Sequence, residues 1–184
     1  MNEENTSYRA LFIVIAAIVI VVTVIGSYVL INRVPPLYSG QVLSVNIFPI
    51  HRDLSQKGST EGIGGENEVY DQMLVLADVR IQNTAKIPLF LHDMWANVNL
   101  PDESDRSTAA SASDFDKIFI AYPELQKFKK NPLPRDITLQ PGQQVEGMMV
   151  FNYQMNLAQF GTRSGMDISI SFLHQGPLVM HVAK

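Results

Sequence analysis

From residue 40 onward the dominant spacing of apolar positions is two. Leu43, Val45 and Ile47 alternate with Ser44 and Asn46, and Ala77, Val79 and Ile81 with Asp78, Arg80 and Gln82. Val145, Met149, Phe151 and Tyr153 share one face of a later run. Ile168, Ile170 and Phe172 oppose Asp167, Ser169 and Ser171, and Leu178, Met180 and Val182 follow. Successive strand side chains point to opposite faces, so each run predicts a half-buried strand. Turn chemistry separates them. Pro141-Gly142 suits a type II turn, because proline presets φ and glycine accepts a positive one. Asn83 to Lys86 predicts a hairpin connection, and the polar, Gly-rich stretch 57–67 a long mobile loop. The set predicts an all-β antiparallel sandwich.

Two stretches depart from that period. Between Ser104 and Lys130, Phe115, Ile118, Phe119 and Tyr122 take helical i, i+3, i+4 spacing, with Ala109, Ala110 and Ala112 before them. Ser113 is the expected N-cap, Asp114 and Asp116 suit the first turn, and Pro123 limits the helix. A further helical turn is expected around Glu124 to Phe128. The second departure is residues 10–31, ALFIVIAAIVIVVTVIGSYVLI, an apolar run without a charge. About 20 such residues cross a hydrocarbon core roughly 30 Å thick, so the run predicts a single transmembrane helix.

Several features favour a retained anchor over a cleaved signal peptide. The leader 1–9 carries Glu3 and Glu4 against Arg9, the run is longer than an h-region, and no A-x-A site follows. Arg9 and Arg33 nearly balance the positive-inside count, and the short leader tips the N-terminus towards the cytoplasm. The expected organisation is a cytoplasmic leader 1–9, a transmembrane helix 10–31, a linker 32–39 broken by Pro35-Pro36, and an extracytoplasmic sandwich 40–184. Gly26 lacks a small partner four residues away, so no small-xxx-small dimer motif is present.

Composition narrows the chemistry. The 184 residues carry a formal charge of −4 and contain no cysteine. Disulfides, thiolate nucleophiles and Cys-based metal sites are thereby excluded. A mildly acidic chain also argues against a nucleic-acid surface, so no nucleic-acid partner is expected.

VRIQNTAKIPLFL at 79–91 and LQPGQQVEGMMVF at 139–151 resemble a widespread group of uncharacterised bacterial immunoglobulin-like β-sandwich domains tethered outside a membrane. The residues carrying the resemblance are Asn83, Thr84, Lys86, Pro88, Pro141, Gly142, Val145, Gly147, Val150 and Phe151. It implies an immunoglobulin-like sandwich and no catalytic residues; the helical insert near 113–130 departs from the simpler members.

Candidate chemistry is sparse. His92, Met94, Met180 and His181 offer imidazole and thioether ligands that suit copper(I), with His92 and Met94 expected on one strand face. Met180 instead shares its face with Leu178 and Val182, and methionine on such a face is usually core filler. Asp102, Glu103 and Asp105 could meet Asp114 and Asp116 around calcium, without the spacing of an EF-hand. Gly161-Thr162-Arg163-Ser164-Gly165 lacks the spacing of a nucleophile elbow, and Gly62, Gly64 and Gly65 lack the Lys-Ser/Thr of a phosphate loop. Lys127, Lys129 and Lys130 beside Phe128 form the basic cluster, read as a solvated rim or a contact with anionic headgroups. The expectation is a binding or scaffold module of the bacterial cell envelope, not an enzyme, with no cofactor and no assigned metal. Its partners are the lipid bilayer through residues 10–31 and an envelope protein. The alternative is a copper-binding envelope carrier using His and Met ligands.

Overall fold

A computed structural model describes residues 3–31, 37–53 and 69–184. The chain divides into two compact units, Met1–Pro35 and Pro36–Lys184. The Gly-rich stretch 57–67 lies outside the described residues.

The first unit is one helix, α1, Glu3–Ile31. Its interior lacks proline, and Thr23 satisfies its hydroxyl on the Val19 carbonyl at 2.7 Å. Its described side chains, those of residues 12–28, are exposed. Among the described residues no helix is long and apolar enough to cross a membrane. The single-pass crossing predicted from 10–31 has no support from them.

The second unit is a sandwich of two antiparallel sheets. Its strands are β1 (Tyr38–Asp53), β2 (Val69–Asn83), β3 (Leu89–Asn99), β4 (Ser104–Thr108), β5 (Ile137–Leu139), β6 (Gln144–Tyr153), β7 (Gly165–Phe172) and β8 (Leu178–Ala183). One sheet has the order β1-β2-β6; the other runs β4-β3-β7-β8, with β5 also on β3. The later period-two runs land as their spacing predicts, whereas in the first, with a bulge between Val42 and Ser44, Leu43 and Ile47 are exposed. Ala77, Val79 and Ile81 of β2, Met149 and Phe151 of β6, and Ile168 and Ile170 of β7 are buried in one core cluster. Tyr153 ties the layers together, its hydroxyl donating to the Ala96 carbonyl at 2.9 Å. Burial, with Asp105 nearby, pushes its phenol pKa up.

The helical insert is real but displaced. Helix α2 spans Ala112–Ala121 with Ser111 as N-cap, two residues before the expected Ser113, and Ser111 Oγ accepts from the Asp114 N–H at 3.2 Å. Ser104 to Thr108, expected in the helical stretch, instead pairs with β3. Pro123 ends α2 and opens a 3₁₀ turn, Pro123–Phe128, whose Gln126 side chain caps the Phe119 carbonyl at 2.9 Å. Phe115, Phe119 and Leu125 pack with Leu74, Leu76, Met148 and Val150 on the outer face of the β1-β2-β6 sheet. That sheet is therefore apolar on both faces, which is why β2 reads LVLA without strict alternation.

Asn83 to Lys86 does not make a hairpin. It carries the chain from β2 in one sheet to β3 in the other. Asn83 is buried and holds this corner: its amide donates to the carbonyls of Ile87 at 2.9 Å and Leu139 at 2.8 Å, and its oxygen accepts from the Ala85 N–H at 2.9 Å. Its main chain exchanges bonds with Gln143 and Gly142, both 2.9 Å, in the Pro141-Gly142 turn. Gly142 has φ of 78° and the Gln143 N–H reaches the Gln140 carbonyl at 2.9 Å, as a type II turn requires. The two segments behind the immunoglobulin-like resemblance thus meet in space.

Candidate functional site

β3 decides the copper question. Its pairing with β7 shifts between Leu91 and Met94, a bulge that reverses the alternation. Met94 is buried in the core while the His92 side chain is 63 % exposed, 3.6 Å from the Asp136 carboxylate. The two expected ligands lie on opposite faces. The same separation holds for Met180, buried, and His181, exposed. Among the described residues no group of three His, Cys, Asp or Glu side chains is placed to hold a metal. Of the two acidic stretches expected around calcium, the second is engaged by other partners. Asp114 is bound by Ser111 and by Lys117 at 3.1 Å, and Asp116 by Lys129 at 2.9 Å. Both Asp114 contacts hold its carboxyl below the usual range, Ser111 foremost. The 161–165 stretch ends α3, Leu157–Gly161, and begins β7; a capping box of Asn156 and Gln159 starts that helix.

The basic cluster is a structural clamp. Lys130 pairs with Asp78, which is buried on β2 beneath the insert, not on a solvent face as its alternation suggests. Lys129 joins Asp116 and lies 5.3 Å from the Phe119 ring centre, and Lys127 lies 4.9 Å over Phe128. Burying a carboxylate is tolerable only with such a partner. Lys130 and Lys129 therefore fasten the insert to the sheet and to itself.

Two further surfaces among the described residues bear on binding. The outer face of the β4-β3-β7-β8 sheet is polar: Arg106 lies 4.4 Å over Trp95, and Asp167 accepts from Asn99 at 3.0 Å and contacts His181 Nδ1 at 2.5 Å. The Asn99 bond, with His181 second, holds the Asp167 carboxyl below the usual range against a burial effect that raises it. These groups mostly satisfy one another, and register alone joins them, so sequence spacing did not reveal them. The second surface is the outer edge of β1, whose other edge pairs with β2. Leu43, at a bulge, and Ile47 are 36 % and 37 % exposed there. Gly40 lets β1 close on β8: a Cβ would sit 2.5 Å from Leu178 Cδ2 and 2.8 Å from Met180 Sδ.

The opposite flank is sealed. Residues 131–133 run along β6, with the Leu133 N–H on the Met148 carbonyl at 2.9 Å, and Gly147 lacks the Cβ that would meet Leu133 Cα at 2.5 Å. The glycine of the resemblance serves close backbone approach.

No family model matches the chain, and no curated protein matches it. Among solved structures it is similar to YcdA, a candidate lipoprotein of Bacillus subtilis, at 13 % identity and a TM-score of 0.44. That similarity covers 80 % of this chain and 36 % of YcdA, so the chain spans about a third of that protein. A candidate ApaA protein of Bordetella pertussis is similar at 13 % identity and a TM-score of 0.31, over 79 % of this chain and 89 % of that one.

Proposed function

We propose that the chain is a membrane-anchored binding or scaffold module of the bacterial cell envelope. Residues 10–31 cross the inner membrane once, the N-terminus lies in the cytoplasm, and the sandwich stands outside. The observation that carries this reading is the surface of α1. Its large apolar side chains from Phe12 to Tyr28 are exposed, Phe12 at 76 % and Ile15 at 50 %. Each square ångström of such surface costs about 25 cal/mol in water and nothing in hydrocarbon. The whole run 10–31 is about 33 Å long as a helix, a match to a core roughly 30 Å thick.

The sandwich acts by binding, and its partner is an envelope protein. The sheet orders β1-β2-β6 and β4-β3-β7-β8 support an immunoglobulin-like connectivity, in which loops and edges present contacts to partners. The edge of β1 is the favoured contact, because among the described residues no strand pairs with it there, and its main-chain groups, flanked by Leu43 and Ile47, suit an added strand. Photo-crosslinking residues placed at Leu43 and Ile47 of the full chain in intact cells test this. A discrete adduct from these sites, absent from a control at the insert residue Ile120, is expected. Equal labelling from all three, or none at the β1 edge, would overturn the assignment.

A further inference from the structure

The chain enters the sandwich at a corner held by hydrogen bonds from several loops. The Leu37 carbonyl accepts from the Thr84 and Ala85 N–H groups at 3.2 and 3.1 Å. The Tyr38 hydroxyl donates to the Gly176 carbonyl at 2.6 Å, and its ring stacks on Phe172 at 4.7 Å. Asn83 joins the Pro141-Gly142 turn to the same corner. The loops 84–88, 140–143 and 173–177 therefore share one end of the sandwich with the point of entry.

These loops contain Lys86 and His174 but no aspartate or glutamate. The connection between β3 and β4, at the other end, exposes Asp102 and Glu103. Large apolar side chains also stand out at the entry end. Ile87 is 50 % exposed, Phe90 50 % and Leu173 46 %. Phe90 and Leu173 are neighbours, the Leu173 N–H donating to the Phe90 carbonyl at 3.0 Å. Leu91 and Phe172 beside them are buried, so both face outward. Such surface is costly in water, and the headgroup–acyl boundary of a bilayer accepts it.

Reach decides the occupant. Residues 32–36 alone separate Leu37 from Ile31, the last residue of α1. Fully extended, that link spans no more than about 21 Å. With residues 10–31 in the membrane, the corner stays within that reach of the hydrocarbon edge, whatever course the link takes. Tethering also makes docking intramolecular, so a weak contact is enough to hold it. Anionic headgroups attract lysine and repel carboxylates, which suits Lys86 and the acid-free loops around it.

We propose that this end of the sandwich docks on the bilayer that anchors the chain. Ile87, Phe90 and Leu173 enter the headgroup layer, and Lys86 meets lipid phosphates. The proposal rests on the membrane-anchored reading and is separate from the β1 edge.

The native chain has no cysteine, so single introduced cysteines carry nitroxide labels in the full chain, reconstituted in nanodiscs of phosphatidylcholine and phosphatidylglycerol. The sites are Ile18→Cys in α1, Ile87→Cys and Leu173→Cys at the entry end, and Leu157→Cys at the far end, all exposed. Collisions with lipid-soluble oxygen and with a water-soluble nickel chelate are measured at each. Labels at positions 18, 87 and 173 are expected to favour oxygen, and the label at position 157 nickel. Adding Phe90→Glu, whose carboxylate is costly in lipid, should return position 173 to the value of position 157 and leave position 18 unchanged. The pattern of the labels decides on its own should Phe90→Glu fail to fold. Oxygen favoured at 18 but nickel at 87 and 173 would overturn the docking and keep the anchor. Nickel favoured at 18 would overturn the anchor and the docking with it. Low access to both reagents at 87 and 173 would mean burial by protein and overturn the lipid assignment. Oxygen favoured at every site, or no effect of a folded Phe90→Glu chain, would overturn a specific docking face.

Discussion

At the residue scale, the fold turns on a few polar side chains held by specific hydrogen bonds. Asn83 makes three side-chain hydrogen bonds from a buried position. Asn83→Leu leaves the carbonyls of Ile87 and Leu139 and the Ala85 N–H without that partner. Removing one partner of a buried pair costs about 1–3 kcal/mol, so the variant should lose at least that much in urea-induced unfolding followed by Trp95 fluorescence. A variant as stable as the parent would refute the corner role. Asp167 gives a pH prediction. Its folded pKa is lowered, chiefly by Asn99 and then His181. A depressed carboxylate stabilises the fold at pH above the ordinary carboxylate range, and that contribution is lost as pH falls through the folded value. Stability of the parent should therefore drop more steeply below about pH 4 than that of Asp167→Asn, measured in parallel at each pH. Parallel acid limbs would count against the pairing.

At the scale of elements, the strands were legible and their irregularities were not. Ala77-Val79-Ile81 and Ile168-Ile170-Phe172 show their buried face in spacing alone. The bulge in β3 is different: one inserted residue reverses every later side chain, and nothing in His92-Asp93-Met94 announces it. The crossing at Asn83 to Lys86 was misread as a hairpin because a polar, turn-like stretch does not say which sheet the next strand joins. The helix was found from its phenylalanines, yet its N-cap fell at Ser111 because the backbone turns where β4 ends, two residues earlier than composition suggests. Asp78 and Lys130 lie far apart in sequence, and only packing of the insert on β2 joins them. Lys130→Met strands a buried carboxylate. A loss of about 1–3 kcal/mol is expected, together with faster amide hydrogen exchange across α2 and the 3₁₀ turn than in β7. Exchange accelerated evenly over the whole sandwich would show that the clamp is not local to the insert.

For the whole molecule, sandwich class and the site of the insert were readable, since period-two runs and a helical stretch leave few other arrangements. The outer-face pairs around Trp95 and Asp167 were not, because each depends on register between segments remote in sequence. The claim on which the functional account rests is that residues 10–31 hold the sandwich outside the inner membrane. The most direct test is alkaline carbonate extraction of bacterial membranes combined with protease treatment of intact spheroplasts. The account predicts that the full chain stays in the membrane pellet and that external protease removes sandwich epitopes while a cytoplasmic control protein survives. Release of the chain by carbonate, or a sandwich cleaved only after the spheroplasts are lysed, would contradict it.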